Sequence, residues 1–219
     1  MILYHGSNRT VTEPKLQTDA AKKELGSGFY LTPDFAQAAV AARTRVRREQ
    51  RLLEKKSDYD RGVVSTFELD ETVPLKVFRF ESTTAEWLQF AAANFKNDVY
   101  REQLTQDILS RYSDYDVIIG KRPDDHTSMI LTAYLAESYG TPESADAINS
   151  ALSHVFPEQL SEQYCFRTEQ AIHALKFQKK DAPVRASSKK FTADRVLTMA
   201  AQMLAAEQGI ITQCGVLPT

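Results

Sequence analysis

The chain opens on a short apolar run, Ile2-Leu3-Tyr4, that stops at His5-Gly6-Ser7, and about twenty residues later it presents Gly26-Ser27-Gly28-Phe29-Tyr30-Leu31-Thr32. These two segments constrain the fold more than any others. The first reads as a buried strand that delivers a histidine and an open stretch of backbone to its end. The second reads as a strand whose approach is kept narrow by two residues without side chains. Between them residues 8–24 are polar, interrupted by Pro14 and without a sustained period, so they form a loop over whatever the two strands hold. Thr32-Pro33-Asp34 then starts a helix, with Thr32 as cap and Pro33 at the first helical position, that runs from Phe35 to about Lys56. Its apolar stripe, Phe35, Ala39, Ala42, Val46 and Leu53, is narrow and rich in small residues, which lets it pack closely on a sheet.

Further on, β-branched and aromatic residues mark strands at Val63–Leu69 and Leu75–Phe80. Thr83 and Glu86 have the spacing of a capping box, directly before the apolar face Trp87, Leu88, Phe90, Ala91 and Phe95 of a helix. A second amphipathic helix spans Val99 to about Tyr112. The continuous apolar run Tyr115–Gly120 suits a buried strand. Helices are expected over Thr127–Gly140 and Pro142–Val155, a strand at Gln163–Phe166, a short helix over Thr168–Leu175 capped by Thr168, and an edge strand at Lys176–Lys180. Ala182–Lys190 reads as a linker to a last helix, Ala193 to about Gln208, whose apolar face calls for cover by the same domain or by self-association. The expected division is therefore a domain over residues 1–180 and a linker with a helical appendage over 181–219.

Composition narrows the function classes only a little. With 27 basic against 29 acidic residues and a net charge of -2, bulk charge favours neither a nucleic-acid binder nor a membrane-surface protein. No apolar run is long enough to span a bilayer and no secretory leader pattern opens the chain, so the expectation is a cytoplasmic protein without membrane contact. Cys165 and Cys214 are too few for a disulfide framework or a zinc site. The helix after Pro33 carries Arg43, Arg45, Arg47, Arg48, Arg51, Lys55 and Lys56, readable as a solvated face or as a patch for phosphates or an acidic partner. Asp124, Asp125 and His126 invite a metal or acid–base reading, but their spacing fits no strong ligand motif and they read first as an exposed turn and helix cap. Phosphate-loop and nucleophile-elbow motifs are absent from the sequence.

Taken together, His5-Gly6-Ser7 and Gly26-Ser27-Gly28-Phe29-Tyr30 resemble the first two signature segments of the ADP-ribosyltransferase superfamily, in the His-Tyr-Glu branch that includes the poly(ADP-ribose) polymerases and diphtheria toxin. With Tyr115–Gly120 and Gln163–Thr168 they resemble more closely a bacterial group of small ADP-ribosyltransferase-like proteins of the DUF3990 type, over roughly residues 1–178. The resemblance implies an α+β fold, a split antiparallel β core with surrounding helices and NAD in the cleft between sheets. It also implies a mono-ADP-ribosyltransferase, a toxin or effector, that uses NAD as substrate and modifies a macromolecular acceptor, protein or nucleic acid. The rival reading is a binding module of the same fold that has lost transfer.

Under that resemblance His5 hydrogen-bonds a ribose hydroxyl, the backbone of Gly6 pairs with the nicotinamide amide, and Tyr30 stacks on the ring. Gly28 allows close approach, and Ser7 adds a donor. Each residue taken singly reads first as structural; it is their joint occurrence, in order and ahead of a small-residue helix, that points to a site. The family's catalytic glutamate falls on Gln163, which keeps an oxygen able to orient a ribose but lacks the charge that steadies a cationic transition state. Glu162 would serve only after a register shift of one, since neighbours in a strand point to opposite faces. Glu169 lies too far along the chain.

Overall fold

Alternation along β1 (Ile2–Ser7) decides the architecture: Leu3, His5 and Ser7 turn to one face, and Tyr4 and Gly6 to the other. The computed structural model describes residues 1–17, 23–52, 61–95 and 102–185. The chain divides into Met1–Ala186 and Ser187–Thr219. The helix expected at 193–208, Cys214, and the expected helical residues 53–56 and 99–101 lie outside the described residues.

β1 forms one edge of a three-stranded antiparallel sheet, in the order β1, β3 (Arg61–Leu69), β7 (Leu175–Arg185). A second sheet has the order β2 (Phe29–Leu31), β6 (Ser161–Phe166), β5 (Val117–Arg122), β4 (Val77–Arg79). Its pairs are antiparallel except β4 with β5, which run parallel. That pair departs from the wholly antiparallel core expected. The chain between them passes through α2 (Ala85–Phe95) and α3 (Glu102–Ser110), and such a crossover returns a strand in the same direction. One bridge links the sheets: the Tyr4 N–H donates to Thr32 O at 2.8 Å and the Thr32 N–H to Tyr4 O at 3.0 Å. The described chain is thus a mixed α+β structure of two sheets and six α-helices.

Strand alternation distributes the core. Leu3 and Phe67 of the first sheet cluster with Phe29, Leu31, Val117, Ile119, Tyr164 and Phe166 of the second, all nearly inaccessible to water. The opposite face of the second sheet carries Tyr30, Ile118 and Cys165 into a cluster with Trp87, Leu88 and Phe90 of α2, Leu131 of α4 (Asp125–Leu135) and Ala151 of α5 (Ala145–Ser153). Trp87 is fully buried, and its burial stabilises by roughly 2–3 kcal/mol. On the far face of the first sheet lies α1 (Phe35–Leu52), which meets β1 and β3 through Ala38, Ala39 and Ala42. A Cβ at Gly6 would stand 1.8 Å from Ala38 O, so glycine sets the distance at which helix and strand can meet.

Within the described residues the expected elements are present with shifted ends. Asp34, not Thr32, caps α1, its carboxylate accepting the Ala36 N–H at 2.8 Å, so Pro33 precedes the helix instead of opening it. Thr84, not Thr83, caps α2, its hydroxyl accepting the Trp87 N–H at 3.2 Å, while Glu86 takes a hydrogen bond of 2.7 Å from the Tyr112 hydroxyl. β5 starts two residues late because Asp116 is tied in a turn, accepting from the Lys76 N–H at 2.8 Å and the Thr168 hydroxyl at 2.6 Å. Thr168 caps α6 (Glu169–His173) as expected. Ala182–Arg185 continues β7 instead of opening a linker. Pro183 is tolerated there because pairing slips between Gly62 and Val64, and a bulge on an edge strand needs no proline N–H. Residues 8–17 form the expected cover, with Val11 and Leu16 against the inter-sheet core and the Val11 N–H on Ser65 Oγ at 3.0 Å. No described helix is long and apolar enough to cross a membrane.

Candidate functional site

The end of β1 and the start of β2 meet where the two sheets join. His5 Nδ1 lies 2.8 Å from Tyr30 O, and its ring stacks on Phe29 with centroids 4.5 Å apart. A carbonyl only accepts, so Nδ1 carries the proton and Nε2 keeps a lone pair. Burial lowers the imidazole to about 4 against the pull of the Tyr30 carbonyl, and the cations Lys23 and Arg45 add to the lowering. His5 is therefore neutral at pH 7.

The peptide of Gly6 follows from the hydrogen-bond pattern of β1. The N–H and C=O of Tyr4 both face Thr32, and backbone direction in a strand repeats every two residues. Gly6 thus turns both its N–H and its C=O to the same open edge, away from β3, and no described residue pairs with them there. Ser7 is buried, and its hydroxyl donates to Asn8 Oδ1 at 3.1 Å, while the Asn8 amide donates to Glu49 of α1.

Tyr30 projects into the helix-side cluster, 8% exposed, with its hydroxyl donating to Gly26 O. Burial raises its phenol well above the usual value. The Lys23 ammonium sits over the ring, 4.4 Å from its centroid, and also donates to Gln17 Oε1 at 2.9 Å. Across the β2–β6 pair Tyr30 faces Cys165, which is fully buried and whose thiol burial pushes up to about 11. Gly28 packs against this strand: a Cβ there would lie 2.5 Å from Phe166 O and 2.7 Å from Cys165 Sγ. The close approach it permits is of β6 to the turn before β2.

Gln163 pairs with Gly120 and shares its sheet face with Cys165, diagonal to Tyr30. It is half-buried, and its side chain has no hydrogen-bond partner among the described residues. Glu162 points to the opposite face, where it forms an ion pair with Arg79, whose Nη2 also donates to the Tyr164 hydroxyl at 3.1 Å. The observed register thus leaves Gln163, not Glu162, on the Tyr30 face. The structure joins His5 to Tyr30 through the main chain and Tyr30 to Gln163 through a common face; no side-chain hydrogen bond connects the three.

Three charged neighbours escape a reading by motif. Lys23 and Glu24 sit in the polar stretch ahead of Gly26, and Arg122 shares the face of Gly120 and Gln163 by alternation along β5. Burial lowers Lys23 and raises Glu24, which also feels Arg122 and Lys23. Only the β5–β6 register could have placed Arg122 beside Gln163. Asp124 caps α4, accepting the Thr127 N–H at 2.8 Å, and His126 stacks on Phe156. No cluster of metal-ligating side chains occurs among the described residues.

The sequence model of a family described as "Protein of unknown function (DUF3990)" matches residues 1–177. No curated protein and no solved structure matches the chain.

Proposed function

We propose, for a chain that belongs to the DUF3990 family, a cytoplasmic mono-ADP-ribosyltransferase that takes NAD as substrate and modifies a protein or nucleic-acid acceptor. The observation that carries this reading is the Gly6 peptide: one donor and one acceptor, side by side on an open sheet edge, match the two hydrogen-bonding atoms of a carboxamide such as that of nicotinamide. Next to it, neutral His5 keeps Nε2 free to accept from a ribose hydroxyl. Gln163 Oε1 orients the sugar. In the reaction the bond from C1′ to the nicotinamide nitrogen breaks, its electron pair leaves with nicotinamide, and an acceptor nucleophile bonds to C1′ and loses a proton. An uncharged amide stabilises the positive charge on the sugar less than a carboxylate does, so transfer is slow.

A second reading, a nucleotide-binding module without transfer, is favoured by the Glu162–Arg79 pair, which holds the neighbouring carboxylate on the other face. Nicotinamide release from NAD, measured on wild type, Gln163→Ala and Gln163→Glu with lysate as a source of acceptors, separates the two. The transferase reading expects slow release by wild type that drops about tenfold or more in Gln163→Ala. A silent wild type that binds ADP-ribose, with release gained in Gln163→Glu, overturns it in favour of the module.

A further inference from the structure

Three cations from separate parts of the chain surround the end of β1. Arg45 stands one helical turn before Glu49, whose carboxylate holds Asn8, so it lies on the flank of α1 beside the Ser7–Asn8 backbone, and its charge reaches His5. Arg122 closes β5 on the face of Gly120 and Gln163. Leu25 covers that face, since a Cβ on Gly120 would lie 3.3 Å from its Cδ2, and this brings the preceding Lys23 near Arg122. Lys23 links the other two: its ammonium feels both Arg45 and Arg122 as like charges, and it donates to Gln17 Oε1 at 2.9 Å. Arg45 is exposed and Arg122 half-buried, and neither has a carboxylate in ion-pair contact among the described residues. Glu24 acts on Lys23 and Arg122, and Glu49 is engaged by Asn8, so the group keeps a positive balance in a chain whose net charge is -2.

We propose, resting on the nucleotide reading above, that Arg45, Lys23 and Arg122 form an anion subsite for a diphosphate, the group that joins the two riboses of an ADP-ribosyl ligand. The two guanidinium groups and the ammonium are donors that the fold brings together without pairing them off. A diphosphate only accepts, and it has oxygens enough for all three. A guanidinium takes a phosphate through two parallel N–H···O bonds, while an ammonium serves as a point charge between them. Cations held near one another repel, and an anion placed among them converts that repulsion into attraction. Burial and the like charges of Arg45 and Arg122 depress the Lys23 ammonium; a diphosphate beside it opposes the second cause. Because Arg45 also acts on His5, the subsite adjoins the residue assigned to a ribose hydroxyl. A nucleoside without phosphate gains none of these contacts.

Isothermal titration of the full chain with ADP-ribose, adenosine and inorganic diphosphate, at low and at high salt, tests this on wild type, Arg45→Gln, Arg122→Gln and Arg111→Gln. Arg111 is exposed just beyond the end of α3 and gives a charge-matched control. Wild type is expected to bind ADP-ribose and inorganic diphosphate, both more weakly at high salt, and adenosine at least about tenfold more weakly than ADP-ribose. Arg45→Gln and Arg122→Gln should each weaken both phosphate ligands about tenfold or more, and Arg111→Gln neither. Because Arg45 is exposed, its variant reads the subsite even if Arg122→Gln folds poorly. An affinity for ADP-ribose that survives unchanged in the folded arginine variants, or that adenosine equals, overturns the subsite while leaving the nucleotide site standing. Inorganic diphosphate bound by wild type and lost in the variants, without binding of ADP-ribose, upholds the subsite and overturns the nucleotide reading. Binding of none of the three by wild type overturns both.

Discussion

The contact between His5 and the Tyr30 carbonyl couples one residue's charge state to the junction of the two sheets. With its imidazole lowered from 6.5 to about 4, His5 takes up a proton more readily in the unfolded chain than in the folded one. The stability it contributes is fully present above pH 6.5 and is lost as pH falls toward 4. Urea unfolding of wild type and His5→Asn across that range should show a decline in wild type that the variant lacks. Glu24 acts with the opposite sign, since burial raises its carboxyl, and it is common to both proteins, so the difference belongs to His5. Cys165 gives a second expectation: fully buried, with its thiol raised to about 11, it should resist a thiol reagent in the native state of a Cys214→Ser chain and react only on unfolding. Prompt labelling would show that the Tyr30 face opens. The residues that a motif could expose, His5, Gly6 and Tyr30, were legible because their signals are local. Lys23 and Arg122 were not, because a loop path and a strand register place them.

At the scale of elements, the meeting of α1 with β1 depends on Gly6. Gly6→Ala puts a methyl group 1.8 Å from the Ala38 carbonyl oxygen, and the forced separation of helix and strand should cost about 1–3 kcal/mol. Thermal unfolding measures it, and a variant as stable as wild type would mean that the helix shifts freely. The α2 cap gives a sharper comparison: Thr84→Ala should lose about 1 kcal/mol and Thr83→Ala much less, since only the Thr84 hydroxyl receives the Trp87 N–H. The sequence favoured Thr83 because Glu86 stands three residues on. That carboxylate is instead held by the Tyr112 hydroxyl, a contact between helices that local spacing cannot reveal. The late start of β5 has the same origin in the distant partners of Asp116. Strong local signals survived intact: the cap at Thr168 and the small-residue face of α1 both appear where the pattern put them.

For the molecule as a whole, Met1–Ala186 holds both sheets and their six helices, and β7 ends at Arg185. The mixed α+β class was readable from alternating strand and helix patterns, but not the parallel run of β4 beside β5, which depends on what α2 and α3 do between them. Pairing of β3 with β7 has a kinetic consequence. The central strand of the first sheet is made early and its second neighbour very late, with Leu69 and Leu175 in register at the two ends of the gap. At ordinary rates of synthesis roughly 5–20 seconds separate the two strands. For that interval β3 has β1 on one side and nothing native on the other, so a nascent chain carries an open, half-apolar edge until β7 emerges. A ribosome stalled between Leu69 and Leu175 would hold a chain prone to cling to its neighbours, and folding yield should depend on the speed of translation through this stretch.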